Sequence, residues 1–232
     1  DTSIAVAGTH GKTTTTSMLS HILLKGECDP TISVGGILPA IGGNIRVGQS
    51  ETFLTEACEY TNSFLSFFPT LGIILNMDAD HLDFFKDIDD IRHSFRKFAE
   101  LLPADGALII NADTPKYEMV AENLPCKVIT YGLEHDAEYT ASDITYDEFG
   151  HPTFHVLHNG EDIGTCSLKV PGIHNVSNAL ASIAAGRLLG LDNEVIFAGL
   201  KDFGGTDRRF QYKGKVGEVT IIDDYAHHPT EI

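Results

Sequence analysis

Cations and cysteines are the scarce side chains of this sequence. Sixteen Lys and Arg stand against 33 Asp and Glu, a formal net charge of −17. A chain whose main partner is a nucleic-acid backbone is normally basic, so the balance argues against DNA or RNA as that partner. A small anion remains admissible where local cations, backbone N–H groups or a metal gather. The four cysteines, Cys28, Cys58, Cys126 and Cys166, are far apart and never in C-x-x-C spacing. That argues against a cysteine zinc site and fits a reducing compartment. No apolar run approaches the roughly 18 residues of a membrane span, and no signal-peptide pattern is found. No membrane insertion is expected, and the expected location is the cytoplasm. Internal repeats and low-complexity tracts are also missing.

What is there is an ordinary globular balance, with 42% hydrophobic residues in 232. The length suits one large domain, or one domain with part of another. "SIAVAG" is a short apolar strand that ends in glycine. "KTTTTSMLSHILLKG" comes next, with Met18, Leu19, Ile22 and Leu23 on one helical stripe and Gly26 as its terminator. "PTISVGG", "TFLTEAC", "LGIILNM", "GALIINAD" and "KVITYG" read as further strands. Residues 35–50 are glycine-rich and read as a loop. "IDDIRHSFRKFAELL" places Ile88, Ile91, Phe95, Phe98 and Leu101 or Leu102 at helical spacing. Strands and helices alternating through residue 132 predict an α/β fold with a mostly parallel sheet flanked by helices.

From residue 138 the pattern changes to polar–apolar alternation, with turns at "FGHP" and "NGED". That predicts a small antiparallel β element, its second turn marked by Asn159-Gly160. "HNVSNALASIAAGRLLG" reads as a helix of small residues, with a shorter one near 193–200. "DFGGTD" reads as a linker, after which strands resume as the start of a C-terminal α/β domain. The closing "HPTEI" reads as a helix start, so the sequence is expected to be a trimmed piece.

Five stretches carry chemistry. "GTHGKT" lies between the first strand and helix, where a phosphate-binding loop belongs. The usual spelling is G-x-x-x-x-G-K-[ST], yet Val6 stands where its first glycine should be and Gly8 is the nearest. Backbone N–H groups and the helix dipole would converge there on an anion, with Lys12 as cation and the Thr13 hydroxyl suited to Mg2+. An ordinary glycine turn is the competing reading. "TEACEY" sets Glu56 and Glu59 at a strand end, as metal-holding carboxylates or as solvated acids. "NMDADHLD", residues 76–83, is a metal or nucleotide site or else a polar turn; Mg2+ prefers oxygen, so His81 in its shell would be unusual. In "GIHNVSN", Asn175 and Asn178 share a helical face and suit either an adenine edge or helix capping. "DRRFQYKG" and "DDYAHHPTE" offer cations, acids and histidines that alone could be surface charges.

In this order the stretches resemble the Mur ligases, ATP-dependent amide-forming enzymes of peptidoglycan synthesis, which write their phosphate loop G-T-x-G-K-[ST]. The match runs along nearly the whole chain. The resemblance implies ATP and Mg2+ as cofactors, with Gly8, Thr9, His10, Gly11, Lys12, Thr13 and Thr14 forming the nucleotide loop. It implies Thr13, Glu56 and His81 at the metal, and Asn175 and Asn178 on adenine. Asp224 is expected to face the ribose, and Arg209, with Arg208 less securely aligned, to reach the phosphates. Lys12, Glu56, His81 and Arg209 are then the catalytic set; Glu59, His227 and His228 are expected on the substrate side. The carbamylated lysine of several family members is not carried over to Arg96 or Lys97. The wording is most like the branch that joins L-alanine to the carboxylate of UDP-N-acetylmuramate, which would make those two the substrates. Such enzymes have three domains. Residues 1–203 would be the central ATP-binding domain and 204–232 the beginning of a truncated third, with the UDP-binding domain outside the chain and the piece inactive alone. Rivals are the ligase that attaches a recycled tripeptide to the same sugar nucleotide, a folylpolyglutamate synthase-like ligase, and a phosphate-loop module without ligase chemistry. No N-K-x-D guanine motif supports a GTPase switch.

Overall fold

The computed structural model describes residues 1–206 and 211–226. In chain order its elements are β1 (Thr2–Ala7), α1 (Lys12–Lys25), β2 (Thr31–Leu38), β3 (Gly43–Arg46), β4 (Thr52–Glu56), β5 (Leu71–Ile74) and α2 (Ile88–Ala99). Next come β6 (Ala107–Asn111), α3 (Glu118–Ala121), β7 (Lys127–Tyr131), β8 (Tyr139–Tyr146), β9 (Pro152–His158) and β10 (Glu161–Ser167). The described chain ends with α4 (Ile173–Leu188), α5 (Asn193–Asp202) and the hairpin of β11 (Gln211–Val216) and β12 (Val219–Asp223).

Ten strands form one sheet in the order β3-β2-β4-β1-β5-β6-β7-β8-β9-β10. Neighbours from β2 across to β8 are parallel, and the two edges are antiparallel. The central strands are apolar on both faces because both are covered. Ile4 and Val6 face one core with Met18, Leu19, Ile22 and Leu180, while Ala5 and Ala7 face another with Phe95 and Phe98. A side-chain period of two with helices on each side demands this continuous apolar run.

The predicted α/β class and mostly parallel sheet are therefore found, with two local differences. The stretch 35–50 is not all loop. β2 continues to Leu38, and β3 returns against it as an antiparallel edge; glycines there hide a strand whose side chains need little packing. The antiparallel element is not separate either, since β8 joins β7 through Tyr131 and Tyr139 and extends the main sheet. Its Asn159-Gly160 turn has φ of 52° and 81°, the left-handed pair that a two-residue hairpin needs. Beyond α5 the chain still touches α1. Thr206 is buried and its hydroxyl bonds that of Ser17 on α1, at 3.3 Å.

Topology makes the functional edge. β1 lies between β4 and β5, so the chain leaves β1 for one side of the sheet and later returns to the other. In open α/β sheets that reversal opens a crevice at the strands' C-terminal ends. "GTHGKT" succeeds β1, Glu56 closes β4, and "NMDADHLD" lies just beyond β5. Three sequence-distant motifs therefore meet at one place.

α1 ends in a Schellman-type pattern, with Glu27 N–H bonding Leu24 O at 3.1 Å and Cys28 N–H bonding Leu23 O at 2.9 Å. Gly26 is the C-cap at φ −80°, but the left-handed turn falls on the next residue, Glu27, at φ 56°. A non-glycine there costs about 1 kcal/mol. Glu27→Gly should raise stability by roughly that amount, read as a higher urea midpoint at unchanged slope; a lower midpoint would show that the turn is not strained.

Candidate functional site

The glycine loop is fixed by the segment just beyond β5. Asn76 holds it in three ways: its Oδ1 accepts from His10 N–H at 2.8 Å, its Nδ2 donates to His10 O at 3.0 Å, and its main-chain carbonyl accepts from Thr9 N–H at 3.2 Å. Thr9 Oγ1 in turn accepts from Asp78 N–H, at 2.9 Å. Gly8 has φ 144° and a Cβ there would lie 2.9 Å from Leu75 Cβ. Gly11 has φ 84° and a Cβ would meet Asn178 Oδ1 at 2.8 Å. Both positions demand glycine, and the loop presses backbone-close against β5 and α4. Such a close, N–H-lined turn before a helix is a cradle for phosphate.

Lys12, the first residue of α1, folds back over the loop. Its Nζ donates to Gly8 O, to Thr9 O at 3.1 Å, and to the two carboxylate oxygens of Glu59 at 3.2 and 3.0 Å. Glu59 is 2% exposed and Lys12 17%, so this is a nearly buried ion pair. The carboxylate that the sequence assigns to the substrate side is the direct partner of the loop lysine.

Glu59 is held by a strained segment. Thr61 and Asn62 both sit at left-handed φ, 55° and 59°. Asn62 N–H bonds Glu59 O at 2.9 Å, and Asn62 Oδ1 accepts from Ser94 Oγ on α2. Phe64 anchors the segment by stacking on Phe98, ring centroids 5.0 Å apart, with its edge to Phe95. Left-handed non-glycine residues persist only where surrounding packing fixes them.

Glu56 turns the other way. Its Oε2 accepts from Thr13 Oγ1 at 3.1 Å and its Oε1 from Gly35 N–H. Thr13 and Glu56 thus offer adjacent oxygen donors, the ligand type that Mg2+ takes, commonly one or two carboxylates plus substrate phosphates. His81 sits at left-handed φ 53°. Its Nε2 lies 3.9 Å from Glu59 Oε1 and 3.9 Å from Asp80 Oδ2, and its ring lies against Tyr60, centroids 4.6 Å apart. Tyr60 also donates to Asp83, at 2.8 Å. Among the described residues, no group of three or more His, Cys, Asp and Glu could hold a metal by itself. The "NMDADHLD" stretch bonds the glycine loop through Asn76 and Asp78, and a metal at Thr13 and Glu56 would need further groups to complete its shell.

On the opposite side of the loop lies a cleft of about 310 Å3. His10, Gly11, Thr14, Asn175, Asn178 and Asp224 line it, with His174 and Phe203. Asn175 and Asn178 are not helix caps: α4 begins after Gly172. Asn175 Nδ2 donates to Pro171 O at 2.7 Å, and Asn178 Nδ2 to Asn175 Oδ1 at 3.3 Å. Burial holds the His174 imidazole below its ordinary value, and Asp224 opposes that shift in part. Asp224 thus stands at the cleft beside His174.

The site's sequence-derived residues thus divide into two groups. One is the cleft set above; the other is Lys12, Thr13, Glu56, Glu59 and His81. Arg208, Arg209, His227 and His228 lie outside the described residues. Arg96 ties α2 to the chain around α3, bonding Glu100 Oε1, Val120 O and Glu122 O, and Lys97 is exposed. Neither points to a carbamylated lysine. Asn76 is the residue that sequence reading passes over as part of a turn; an asparagine directly after an apolar strand, beside a glycine loop, is its only signal.

A family model described as the Mur ligase middle domain matches residues 6–186. The chain is 62% identical to a UDP-N-acetylmuramate–L-alanine ligase of Agathobacter rectalis, over its whole length and 50% of that protein. It is 53% identical to the protein of the same name from Caldanaerobacter subterraneus, over 99% of the chain and 50% of the relative. The chain spans about half the length of the curated relatives it matches. Among solved structures, UDP-N-acetylmuramate-alanine ligase MurC of Thermotoga maritima is similar with TM-score 0.85 and 32% identity, over 99% of this chain and 52% of that one. A murein peptide ligase of Psychrobacter arcticus is similar with TM-score 0.78 and 28% identity, again over 99% and 52%.

The electrostatics have two measurable consequences. Lys12→Ala strands Glu59 as a buried carboxylate and should cost about 3 kcal/mol at pH 7. Lys12→Ala/Glu59→Gln should recover most of it in urea melts; a double variant no more stable than the single would contradict the pair. Burial disfavours the charged form of His174 in the fold, so the unfolded chain takes up its proton first as pH falls through the ordinary value of 6.5. Its contribution is present above 6.5 and lost below it. Thermal midpoints should therefore drop less between pH 7.5 and 5.5 in His174→Gln than in wild type.

Proposed function

Because the chain belongs to the Mur ligase family through its middle domain, we propose that it supplies the ATP and Mg2+ site of a ligase joining L-alanine to the carboxylate of UDP-N-acetylmuramate. The observation that carries this reading is the meeting, at the reversal of the sheet around β1, of the glycine loop, Glu56, His81 and the paired asparagines. Residues 1–203 are read as the central domain and 204–232 as the start of the next, with the cytoplasm as the place of action. The identity to curated alanine ligases favours L-alanine over a recycled tripeptide.

Bound ATP supplies the γ-phosphoryl group that converts the sugar's carboxylate to an acyl phosphate, which the amine of L-alanine attacks with loss of phosphate. The protein's own part is position and charge. Gly8 and Gly11 let the backbone approach the phosphates. Lys12 places its ammonium where negative charge builds. Thr13 and Glu56 offer Mg2+ two oxygens. His81, whose Nε2 lies 3.9 Å from Glu59 Oε1, is the further side chain expected at the metal. Asn175 and Asn178 would offer amide groups to the adenine edge, and Asp224 would meet the ribose. Arg209 is the cation expected to complete the phosphate site, and His227 and His228 are expected near the substrates.

Calorimetric titration with ATP·Mg2+ tests the assignment. Lys12→Ala should weaken binding by about tenfold or more, the loss of one charge-assisted contact. His81→Ala should weaken it less, and lower ligase turnover in the whole enzyme more than its KM for ATP. Unchanged affinity in both variants would overturn the site. The acceptor is decided by assaying the whole enzyme with L-alanine, glycine and the tripeptide, L-alanine being the expected substrate.

A further inference from the structure

The ammonium of Lys12 has three N–H donors, and all three are engaged inside the chain. Two go to the carbonyls of Gly8 and Thr9 and the third to Glu59. A phosphate oxygen in the loop must therefore take one of these places. The two carbonyls belong to the loop that cradles the phosphate, and leaving them unpaired would cost the cradle itself. Glu59 is the anion of the three, and like the phosphate it meets Lys12 through two equivalent oxygens.

We infer that Glu59 is an internal stand-in for a nucleotide phosphate, holding Lys12 in place until the nucleotide displaces it. The inference rests on the ATP reading above and gives Glu59 a role that neither its sequence motif nor its expected place on the substrate side supplies. Geometry supports it in three ways. The carboxylate is 2% exposed, so water does not compensate it. Among the described residues its hydrogen-bond donor is Lys12 alone, with the His81 Nε2 farther off, at 3.9 Å. The strained turn at Thr61 and Asn62 and the buried Phe64 hold its backbone, so it cannot retreat far when displaced. Glu59 is thus a positioning residue with two effects. It keeps the lysine aimed across the loop, and it competes with phosphate for that lysine. Metal-free nucleotide is opposed by this competition, while the nucleoside in the cleft beyond Gly11 is not.

The test is calorimetry in EDTA with two probes, the non-hydrolysable ATP analogue AMP-PNP and adenosine. Wild type, Glu59→Gln, Lys12→Ala and Lys12→Ala/Glu59→Gln are compared. Glu59→Gln should tighten AMP-PNP by about tenfold, the scale of one hydrogen bond to a charged group, and leave adenosine unchanged. The gain should vanish in the Lys12→Ala background, as a double-mutant cycle requires for a group that acts through Lys12. A Glu59→Gln affinity equal to or weaker than wild type would overturn the inference. So would a gain that persists without Lys12, since that is plain charge repulsion. If wild type binds AMP-PNP neither in EDTA nor with Mg2+, the ATP reading falls and this inference with it. Normal wild-type binding with no response to Glu59→Gln removes this inference alone.

Discussion

Everything at the open edge of the sheet is arranged around one ammonium group. Lys12 closes its own loop by reaching back to the carbonyls of Gly8 and Thr9, and it neutralises Glu59 in a pocket that water hardly enters. Neither partner is stable without it. The loop carbonyls would face one another across the turn, and a buried carboxylate would stand alone. A single side chain thereby links β1, the end of β4 and, through Glu59 and His81, the turn after β5.

The strain around this group is concentrated and compensated. Thr61, Asn62 and His81 all adopt left-handed φ without being glycine, at about 1 kcal/mol or more each. Two of them lie directly beyond Glu59 and the third carries the imidazole that faces it. The compensation is visible in the packing of Phe64 between Phe95 and Phe98 and in the Asn62–Ser94 bond. α2 is thus more than a cover for the sheet. Its apolar stripe holds in place the turn that presents the acid to the lysine.

Much of this is legible in the sequence. The period-two apolar strands, the α1 stripe and the Asn159-Gly160 turn are local signals, and each stands where its pattern puts it. So does the meeting of the glycine loop, Glu56 and the "NMDADHLD" turn, because a parallel α/β order forces strand ends to one edge. The features that escape a sequence reading depend on contacts between distant residues. Glu56 and Glu59 are three apart and chemically alike, yet one bonds Thr13 while the other is sealed against Lys12. The difference lies in the left-handed turn after Glu59, which has no glycine to announce it. The β3 edge strand escapes for the opposite reason: its glycines suggest a loop, although an edge position with sparse packing tolerates them. The antiparallel element is legible as hairpins, but its fusion to the main sheet hangs on a single pairing, Tyr131 with Tyr139, which no periodicity reveals.

The division of the site comes from helix geometry. Successive helical residues point about 100° apart, so side chains at the start of α1 cannot all serve one side. Lys12 and Thr13 turn toward Glu59 and Glu56, and Thr14 turns with Gly11 toward the cleft of Asn175 and Asn178. One short loop therefore stands between the carboxylates of Glu56 and Glu59 and a cleft with amides at its wall. In a chain of net charge −17, that separation matters. The cleft wall carries the amides of Asn175 and Asn178 and the apolar Val170, Pro171 and Phe203, together with the acids Asp78 and Asp224. On the function proposed above, a ligand that brings its own counter-charge would be the one suited to the Lys12 side of the loop, since the carboxylates there oppose a bare anion.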